Sequence, residues 1–111
     1  MKSHSEINLE HACPKYEKAV QILGKRWTAL IIRALLGGSC RFSEVSSYIA
    51  PISDRLLSQR LKELEVEGLV ERRVYPETPA RIEYVLTGKG RELQQVVEAI
   101  QRWADRWEAA P

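Results

Sequence analysis

Residues 53–67 read SDRLLSQRLKELEVE, and their spacing predicts a helix with two different faces. Leu57, Leu61 and Leu64 recur at i, i+4 and i+7, which places them on one side of a helix with about 3.6 residues per turn. Ser53 suits the N-cap position, because its hydroxyl can accept a hydrogen bond from a free N–H of the first turn. Gly68 follows as a stop signal. The stretch is therefore predicted to be a helix that leucines hold against a core.

The opposite face of this helix carries Arg55, Ser58, Gln59 and Lys62. Solvated helix faces usually mix Glu with Lys, whereas Arg, Gln and Ser can donate hydrogen bonds to phosphates and to base edges. On this helix alone, an ordinary polar face is an equally good interpretation. The neighbouring segments are needed to choose between a DNA-binding face and an ordinary polar face.

Composition sets the class of protein without deciding its function. The 111 residues fit one domain, and 17 Lys and Arg against 15 Asp and Glu give a net charge of +2, too small to indicate nucleic acid without a local cluster. The two cysteines, Cys13 and Cys40, have no zinc-binding spacing and suit a reducing compartment. Because neither a run of about 20 apolar residues nor a signal-peptide core is present, we expect a cytoplasmic protein that does not enter a membrane.

Two helices are predicted before the central stretch. Residues 1–12 are polar and are expected to form a flexible arm, in which His4 and His11 lack the spacing of a metal site. Pro14 fits the first turn of a helix that Gly24 ends. A second helix is expected to start near Lys25 and to end at Gly37, with its buried face formed by Trp27, Leu30, Ile31, Ala34 and Leu35.

A brief helix and a tight turn lead directly into residues 53–67. Ser43 can cap this brief helix, with Val45, Tyr48 and Ile49 turned inward, and residues 50–52 form the break. The order helix, turn, helix matches the helix-turn-helix arrangement, in which the first helix braces the second across a groove of DNA.

After Gly68 the pattern changes from helical to extended. Alternating residues on both sides of a proline-rich turn predict a hairpin, or wing, over residues 69–87. Its tip, YPETPAR over residues 75–81, is too long for a tight turn and should project from the body. Arg73 and Arg81 flank the tip and would meet phosphates or a minor groove, or would simply be solvated strand charges.

Thr87 is expected to cap one long helix over residues 88–108. Its apolar residues follow a spacing close to a heptad, and they are Leu93, Val96, Val97, Ile100, Trp103, Ala104 and Trp107. Together with Tyr16 of the first helix, this stripe is interpreted as a dimer interface, since aromatic anchors are common in such surfaces. The alternative is that the helix folds back onto its own domain. A two-fold dimer would place two recognition helices about 34 Å apart, one turn of DNA, and would bind an inverted repeat.

Several motifs occur in the order of a known family. CP at 13–14, GKRW at 24–27, RFSE at 41–44, LSQRLKELE at 57–65, GLVER at 68–72 and YPETPARIEYVLTGKG at 75–90 resemble the HxlR-type winged helix-turn-helix transcriptional regulators of bacteria, a branch near the MarR-like proteins. The resemblance covers residues 13–107, nearly the whole chain, and it implies a homodimer that binds operator DNA.

The resemblance also implies roles for individual residues. It puts Ser53, Arg55, Ser58, Gln59 and Arg60 at or near the major groove and residues 75–81 on the wing. By helical position, however, Arg60 lies on the flank of the helix and would reach a phosphate or pair with a glutamate of its own helix.

Some members of the family sense oxidants or electrophiles through a cysteine placed like Cys13. The CP pair also occurs in members with no known redox role, in which this cysteine is a small packing residue. Lys15 and the start of the first helix would favour a thiolate at Cys13. We expect Cys40 to be buried and structural.

We therefore predict a mainly α winged helix-turn-helix domain over residues 13–111, with a small β-hairpin wing and a dimer interface formed by the N- and C-terminal helices. It would bind double-stranded operator DNA as a homodimer. Because the sequence has no phosphate loop, nucleophile elbow or metal motif, neither an enzyme nor a cofactor is expected, and no small-molecule effector is identified. The alternative is a winged-helix module that binds a protein. The predicted DNA contacts are Arg41, Ser43, Ser53, Arg55, Ser58, Gln59, Arg60, Lys62, Arg73, Tyr75, Thr78 and Arg81.

Overall fold

The computed structural model describes residues 13–110, which form helices and one antiparallel hairpin. The elements in chain order are α1 (Pro14–Leu23), α2 (Thr28–Leu36), α3 (Phe42–Tyr48), α4 (Asp54–Val66), β1 (Val70–Tyr75), β2 (Arg81–Leu86), α5 (Gly88–Arg91) and α6 (Gln94–Trp107). The predicted arm over residues 1–12, with its two histidines, lies outside the described residues. Within residues 13–110, no helix is long and apolar enough to cross a membrane.

Helix α4 is built as its sequence predicts. Ser53 is the N-cap, and its Oγ accepts a hydrogen bond from the backbone N–H of Leu56 at 3.1 Å. Leu57, Leu61 and Leu64 are almost completely buried and form the centre of the core. The helix ends before Gly68, whose φ of +76° is a left-handed conformation that glycine adopts without strain. The leucine face is therefore fixed, and the polar face of α4 points outward.

Helix α3 lies before α4 and packs into the same core through Val45 and Ile49. It begins at Phe42, so the prediction that Ser43 caps it is wrong. Glu44 explains the earlier start, because its carboxylate accepts a hydrogen bond from the backbone N–H of Arg41 at 2.6 Å. Tyr48 was predicted to turn inward but is 56% exposed, since it falls outside the narrow face of this short helix that touches the core.

The hairpin pairs β1 with β2 in one continuous antiparallel register, from Val70 opposite Leu86 to Tyr75 opposite Arg81. Cys40 adds one residue to the edge of β2, because its N–H and C=O both bond to the backbone of Tyr84, at 2.9 and 2.7 Å. The base of the hairpin is buried and its tip is exposed. The predicted wing is thus present, and the helix-turn-helix and the wing share one core.

The predicted long helix over residues 88–108 is interrupted. Helix α5 ends at Arg91 and α6 begins at Gln94, with Leu93 N–H bonded to Gly90 C=O at 3.1 Å in a tighter turn between them. Gly90 is buried so close to the wing base that a Cβ would collide with the carbonyl oxygen of Leu69. The base of the wing therefore sets the direction of α5. The chain changes direction at Leu93, and α6 then packs against α2.

Helices α1 and α2 complete the domain. Helix α2 begins at Thr28, not near Lys25, because Trp27 has φ of +80°, a left-handed conformation that does not fit into a right-handed helix. Ile31 and Leu35 are buried as predicted, whereas Leu30 is 43% exposed, so its side of α2 is only partly covered. Helix α1 contains no buried residue. Most of its apolar surface consequently stays open.

Candidate nucleic-acid interface

The outward face of α4 gathers four hydrogen-bond donors in one open groove. Arg55, Ser58, Gln59 and Lys62 are exposed, and they line this groove together with Lys25 from the turn before α2. They lie opposite the buried leucines, so the face cannot rotate inward without exposing the core. We name this surface of Arg55, Ser58, Gln59 and Lys62 the α4 face.

The start of α4 is braced by α3. Ser46 of α3 donates a hydrogen bond to Asp54 Oδ1 at 3.4 Å, and Ser53 caps the helix one residue earlier. Ser53 is exposed, and so are Arg41 and Ser43 at the start of α3. The N-terminal ends of both helices of the helix-turn-helix therefore carry exposed polar side chains.

Arg60 differs from its neighbours on α4, because its side chain is only 15% exposed. Its Nε donates to the carbonyl oxygen of Arg26 at 3.2 Å, and its Nη1 lies 3.3 Å from Glu63 Oε1. Arg60 thus lies on the flank of α4, as the helical spacing predicts, and its side chain bonds to groups of its own chain.

Glu63 is the acidic partner in this part of the surface. Its Oε1 also lies 3.3 Å from Lys25 Nζ, and its Oε2 accepts from Gln59 Nε2 at 3.4 Å. Burial acts to raise the pKa of Glu63, but the hydrogen bonds from Lys25 and Gln59 and the charges of Lys25 and Arg60 outweigh burial and lower it. The carboxylate is therefore held ionised beside the α4 face.

The wing arginines are engaged inside the hairpin. Arg73 bonds to Glu71 at 3.1 Å, and this hydrogen bond, followed by one with Tyr75, raises the pKa of Arg73. Arg81 stacks over the Tyr75 ring at 4.3 Å and also pairs with Glu77 and Glu83 at 3.3 and 3.4 Å. A DNA contact by either arginine would have to compete with these partners and stays a prediction.

Two cationic residues near the α4 face were not assigned from the sequence. Lys25 lines the first groove, and Arg72 lines a second groove between α4 and the wing, with Ser58, Lys62 and Val66. Strand alternation could have indicated Arg72, because it lies two residues from the buried Val70 and so on the same side of β1. Lys25 carried no such signal, since it lies in a turn.

The predicted dimer stripe on α6 divides into two parts. Leu93 and Val97 pack against the core of their own domain and Ala104 is half-buried, whereas the larger residues further along are exposed, with Trp103 at 58% and Trp107 at 65%. Arg33 of α2 donates a hydrogen bond to Gln101, which ties α6 to the body. The exposed part also includes Val96 and Ile100, and Tyr16 of α1 is 70% exposed.

The two cysteines lie in different environments. Cys13 is exposed and is the N-cap of α1. Cys40 is half-buried, and burial, followed by the nearby carboxylates of Glu44 and Glu83, raises its pKa. The prediction that Cys40 is buried is therefore wrong. Its side chain is partly exposed, because its backbone pairs at the open edge of β2.

Comparisons with known proteins agree with this architecture. Residues 22–110 match the HxlR-like helix-turn-helix family. The chain is 54% identical to YvaP, an uncharacterized HTH-type transcriptional regulator of Bacillus subtilis (strain 168), over 91% of this chain and 94% of that protein. It is 50% identical to the HTH-type transcriptional regulator YodB of the same organism, over 86% and 85% of the two chains.

Solved structures show the same fold. The reduced form of YodB from B. subtilis superposes with a TM-score of 0.78 at 49% identity, covering 88% of this chain and 96% of YodB. The redox regulator HypR in its oxidized form superposes with a TM-score of 0.82 at 32% identity, covering 88% and 100%. YvaP and YodB are both transcriptional regulators rather than enzymes. The chain is a transcriptional regulator with a winged helix-turn-helix fold and belongs to the HxlR-like helix-turn-helix family.

Proposed function

We propose that this regulator works in the cytoplasm as a homodimer that binds an inverted-repeat operator, with α4 of each protomer in a major groove. The observation that supports this most strongly is the α4 face: four exposed donors in one groove, opposite leucines that fix the rotation of the helix. Side chains of this kind, on the second helix of a helix-turn-helix, are suited to contacts with base edges.

The donors divide by chemistry. Arg55 can donate two hydrogen bonds to a guanine, and Gln59 can form two hydrogen bonds with an adenine. Ser58 can form a hydrogen bond with either base. Lys62 and Arg41 have charges suited to phosphates. Arg72 adds positive charge to the groove between α4 and the wing, whereas the charge of Lys25 is paired with Glu63. Base reading is thus assigned to Arg55, Ser58 and Gln59, and affinity to the neighbouring cations.

The wing would follow the DNA backbone beside α4. Tyr75 lies at the start of its tip and Thr78 is exposed within it. Because Arg73 and Arg81 are paired inside the hairpin, their contribution to phosphate binding would be smaller than that of Lys62.

Dimerisation would bury the apolar surface that one protomer leaves open. Ile100, Trp103 and Trp107 share one side of α6 and are more than half exposed, as is Tyr16 on α1. Exposed aromatic groups of this size usually mark an interface. A second copy would also double the contacts with DNA and fix the spacing of the half-sites.

The test is selection of duplexes from a random-sequence pool, followed by fluorescence-anisotropy titration of the selected duplex and a shuffled version at several salt concentrations. We expect the selected duplex to be an inverted repeat and to bind at least about 10³-fold more tightly than the shuffled duplex, with strong salt dependence. Salt-dependent binding without preference would contradict base reading. Failure to bind any DNA at low salt would favour the protein-interaction module instead.

We also propose that Cys13 makes this binding sensitive to thiol chemistry. Support comes from its exposure at the start of α1 and from YodB, whose solved structures include reduced, diamide-treated and quinone-bound forms. Diamide would remove two electrons and two protons from the Cys13 thiols of the two protomers, so that an S–S bond forms between them and diamide becomes a hydrazine. A quinone instead forms a carbon–sulfur bond with one thiolate.

The experiment compares DNA affinity before and after diamide in the wild type, in Cys13→Ser and in Cys40→Ser. We expect the treatment to change affinity in the wild type and in Cys40→Ser, but not in Cys13→Ser. An equal response of Cys13→Ser and the wild type would remove Cys13 from the mechanism, without affecting the DNA-binding proposal.

A further inference from the structure

Arg60 and Glu63 connect the recognition helix to the turn between α1 and α2. Arg60 donates to the carbonyl oxygen of Arg26 at 3.2 Å and pairs with Glu63, and Glu63 pairs with Lys25 on the same turn, both pairs at 3.3 Å. We name Lys25, the Arg26 carbonyl, Arg60 and Glu63 the corner clamp. It joins two segments that are far apart in the chain, at the edge of the α4 face.

The turn that the clamp grips has an unusual backbone. Trp27 follows Arg26 directly and has φ of +80°, a left-handed conformation that is strained for a residue with a side chain. Such a conformation persists only where its surroundings hold it. Two contacts do so: Arg26 lies over the Trp27 ring at 4.5 Å, and Arg60 binds the carbonyl of the peptide that joins the two.

The clamp also reaches the proposed base-reading residues. Gln59 donates to Glu63 Oε2 at 3.4 Å, so the carboxylate that holds Arg60 and Lys25 also orients the Gln59 amide. Exposed ion pairs usually contribute little, but the Arg60 side chain is only 15% exposed and binds a carbonyl as well as a carboxylate.

We propose that Arg60 and Glu63 are positioning residues for DNA binding: they fix α4 and Gln59 against the α1–α2 turn, and Arg60 does not contact phosphate. This rests on the proposed operator binding. It assigns to Arg60 a role other than the major-groove position that the family resemblance implies, and it gives an acidic residue beside the DNA surface a positive contribution to affinity.

The direction in which Glu63→Gln changes DNA affinity shows whether Glu63 is a bystander or a positioning residue. Glu63→Gln removes a negative charge near DNA, which should strengthen binding if Glu63 is a bystander. If the clamp positions α4, the same change should weaken binding to the selected duplex by roughly tenfold, with less loss on shuffled DNA. Glu65→Gln is the matched control, because it removes the same charge from the same helix outside the clamp, and its affinity should be unchanged or higher.

Arg60→Lys gives a second, independent comparison. Lysine keeps the positive charge but lacks the planar group that serves a carbonyl and a carboxylate together. A phosphate contact would survive this change, whereas the clamp would not. We expect Arg60→Lys to lose about as much affinity as Glu63→Gln. Wild-type affinity in Arg60→Lys together with tighter binding by Glu63→Gln would overturn the proposal.

Amide hydrogen exchange of the free protein tests, without DNA, whether the clamp holds the α1–α2 turn. We expect faster exchange in residues 24–28 in Glu63→Gln than in Glu65→Gln, and equal rates would overturn the clamp whatever the binding data show. If the wild type bound no duplex, the proposed function would fail, while the exchange result would still decide whether the clamp holds the turn. Should Arg60→Lys not fold, Glu63→Gln decides alone, because Glu63 is partly exposed.

Discussion

The guanidinium group of Arg81 lies 4.3 Å above the ring of Tyr75, its partner across the last pair of the hairpin. The same side chain pairs with Glu77 within the tip and with Glu83 on its own strand. The proline-containing tip is therefore closed at its base by a stacked and charged group rather than by a tight turn. A wing held in this way would present one shape to DNA.

Arg81→Ala should loosen the wing tip while leaving the domain folded. The cation–π contact and the partly exposed ion pairs are each worth less than about 1 kcal/mol, so the loss of unfolding free energy should be of that order. Amide exchange in residues 76–83 should accelerate, and exchange in α4 should not change. Arg72→Ala is the control, since strand alternation puts Arg72 on the side of β1 away from Tyr75. Unchanged exchange in the tip would mean that Arg81 does not close it.

Ser53→Ala tests the start of α4. The hydroxyl accepts from Leu56 N–H at 3.1 Å, and loss of such a cap typically costs about 1 kcal/mol of unfolding free energy. Urea denaturation should show this loss in Ser53→Ala and a much smaller one in Ser53→Asp, because aspartate also caps. Ser47→Ala, within α3, should be neutral. Equal stability of the two Ser53 variants at the wild-type level would show that the cap does not contribute.

The parts of the fold that sequence predicts well are local. Ser53, the leucines of α4 and Gly68 specify a helix through caps and spacing that need no distant neighbour, and strand alternation specifies the wing in the same way. Leu30 and Tyr48 show the limit. Apolar spacing indicates which side of a helix could be buried, but only the packed neighbours decide how much of that side is covered.

The break between α5 and α6 has the same origin. Thr87 and the apolar stripe predict one helix, yet Gly90 is pressed against Leu69, while Leu93 and Val97 pack into the core. Those two sets of contacts require different helix directions. Similarly, the helical position of Arg60 suggested a glutamate partner, but its bond to the Arg26 carbonyl depends on a turn that is distant in sequence. Long-range contacts of this kind have no local signal.

Trp103→Ala should weaken the dimer. Trp103 is 58% exposed on the apolar side of α6, and removal of a central aromatic anchor commonly costs at least about 2 kcal/mol, or roughly 30-fold in the dimer dissociation constant. Sedimentation equilibrium over a range of concentrations measures this constant directly. Arg102→Ala alters the neighbouring exposed residue, which points to another side of the helix, and should leave the constant unchanged. A monomeric wild type would contradict dimerisation, and a Trp103→Ala dimer as tight as the wild type would place the interface elsewhere.

Arg55 and Lys62 provide the sharpest comparison on the α4 face, because both are exposed cations that line the same groove. If Arg55 reads a base, Arg55→Ala should cost about 1 to 3 kcal/mol on the selected duplex and less on shuffled DNA. If Lys62 meets a phosphate, Lys62→Ala should weaken binding to both duplexes alike and reduce the salt slope by about 0.9 per protomer. Anisotropy titrations of both variants against both duplexes measure the difference. Equal losses for Arg55→Ala on the two duplexes would count against base reading, because a contact that does not depend on sequence cannot distinguish an operator from the DNA around it.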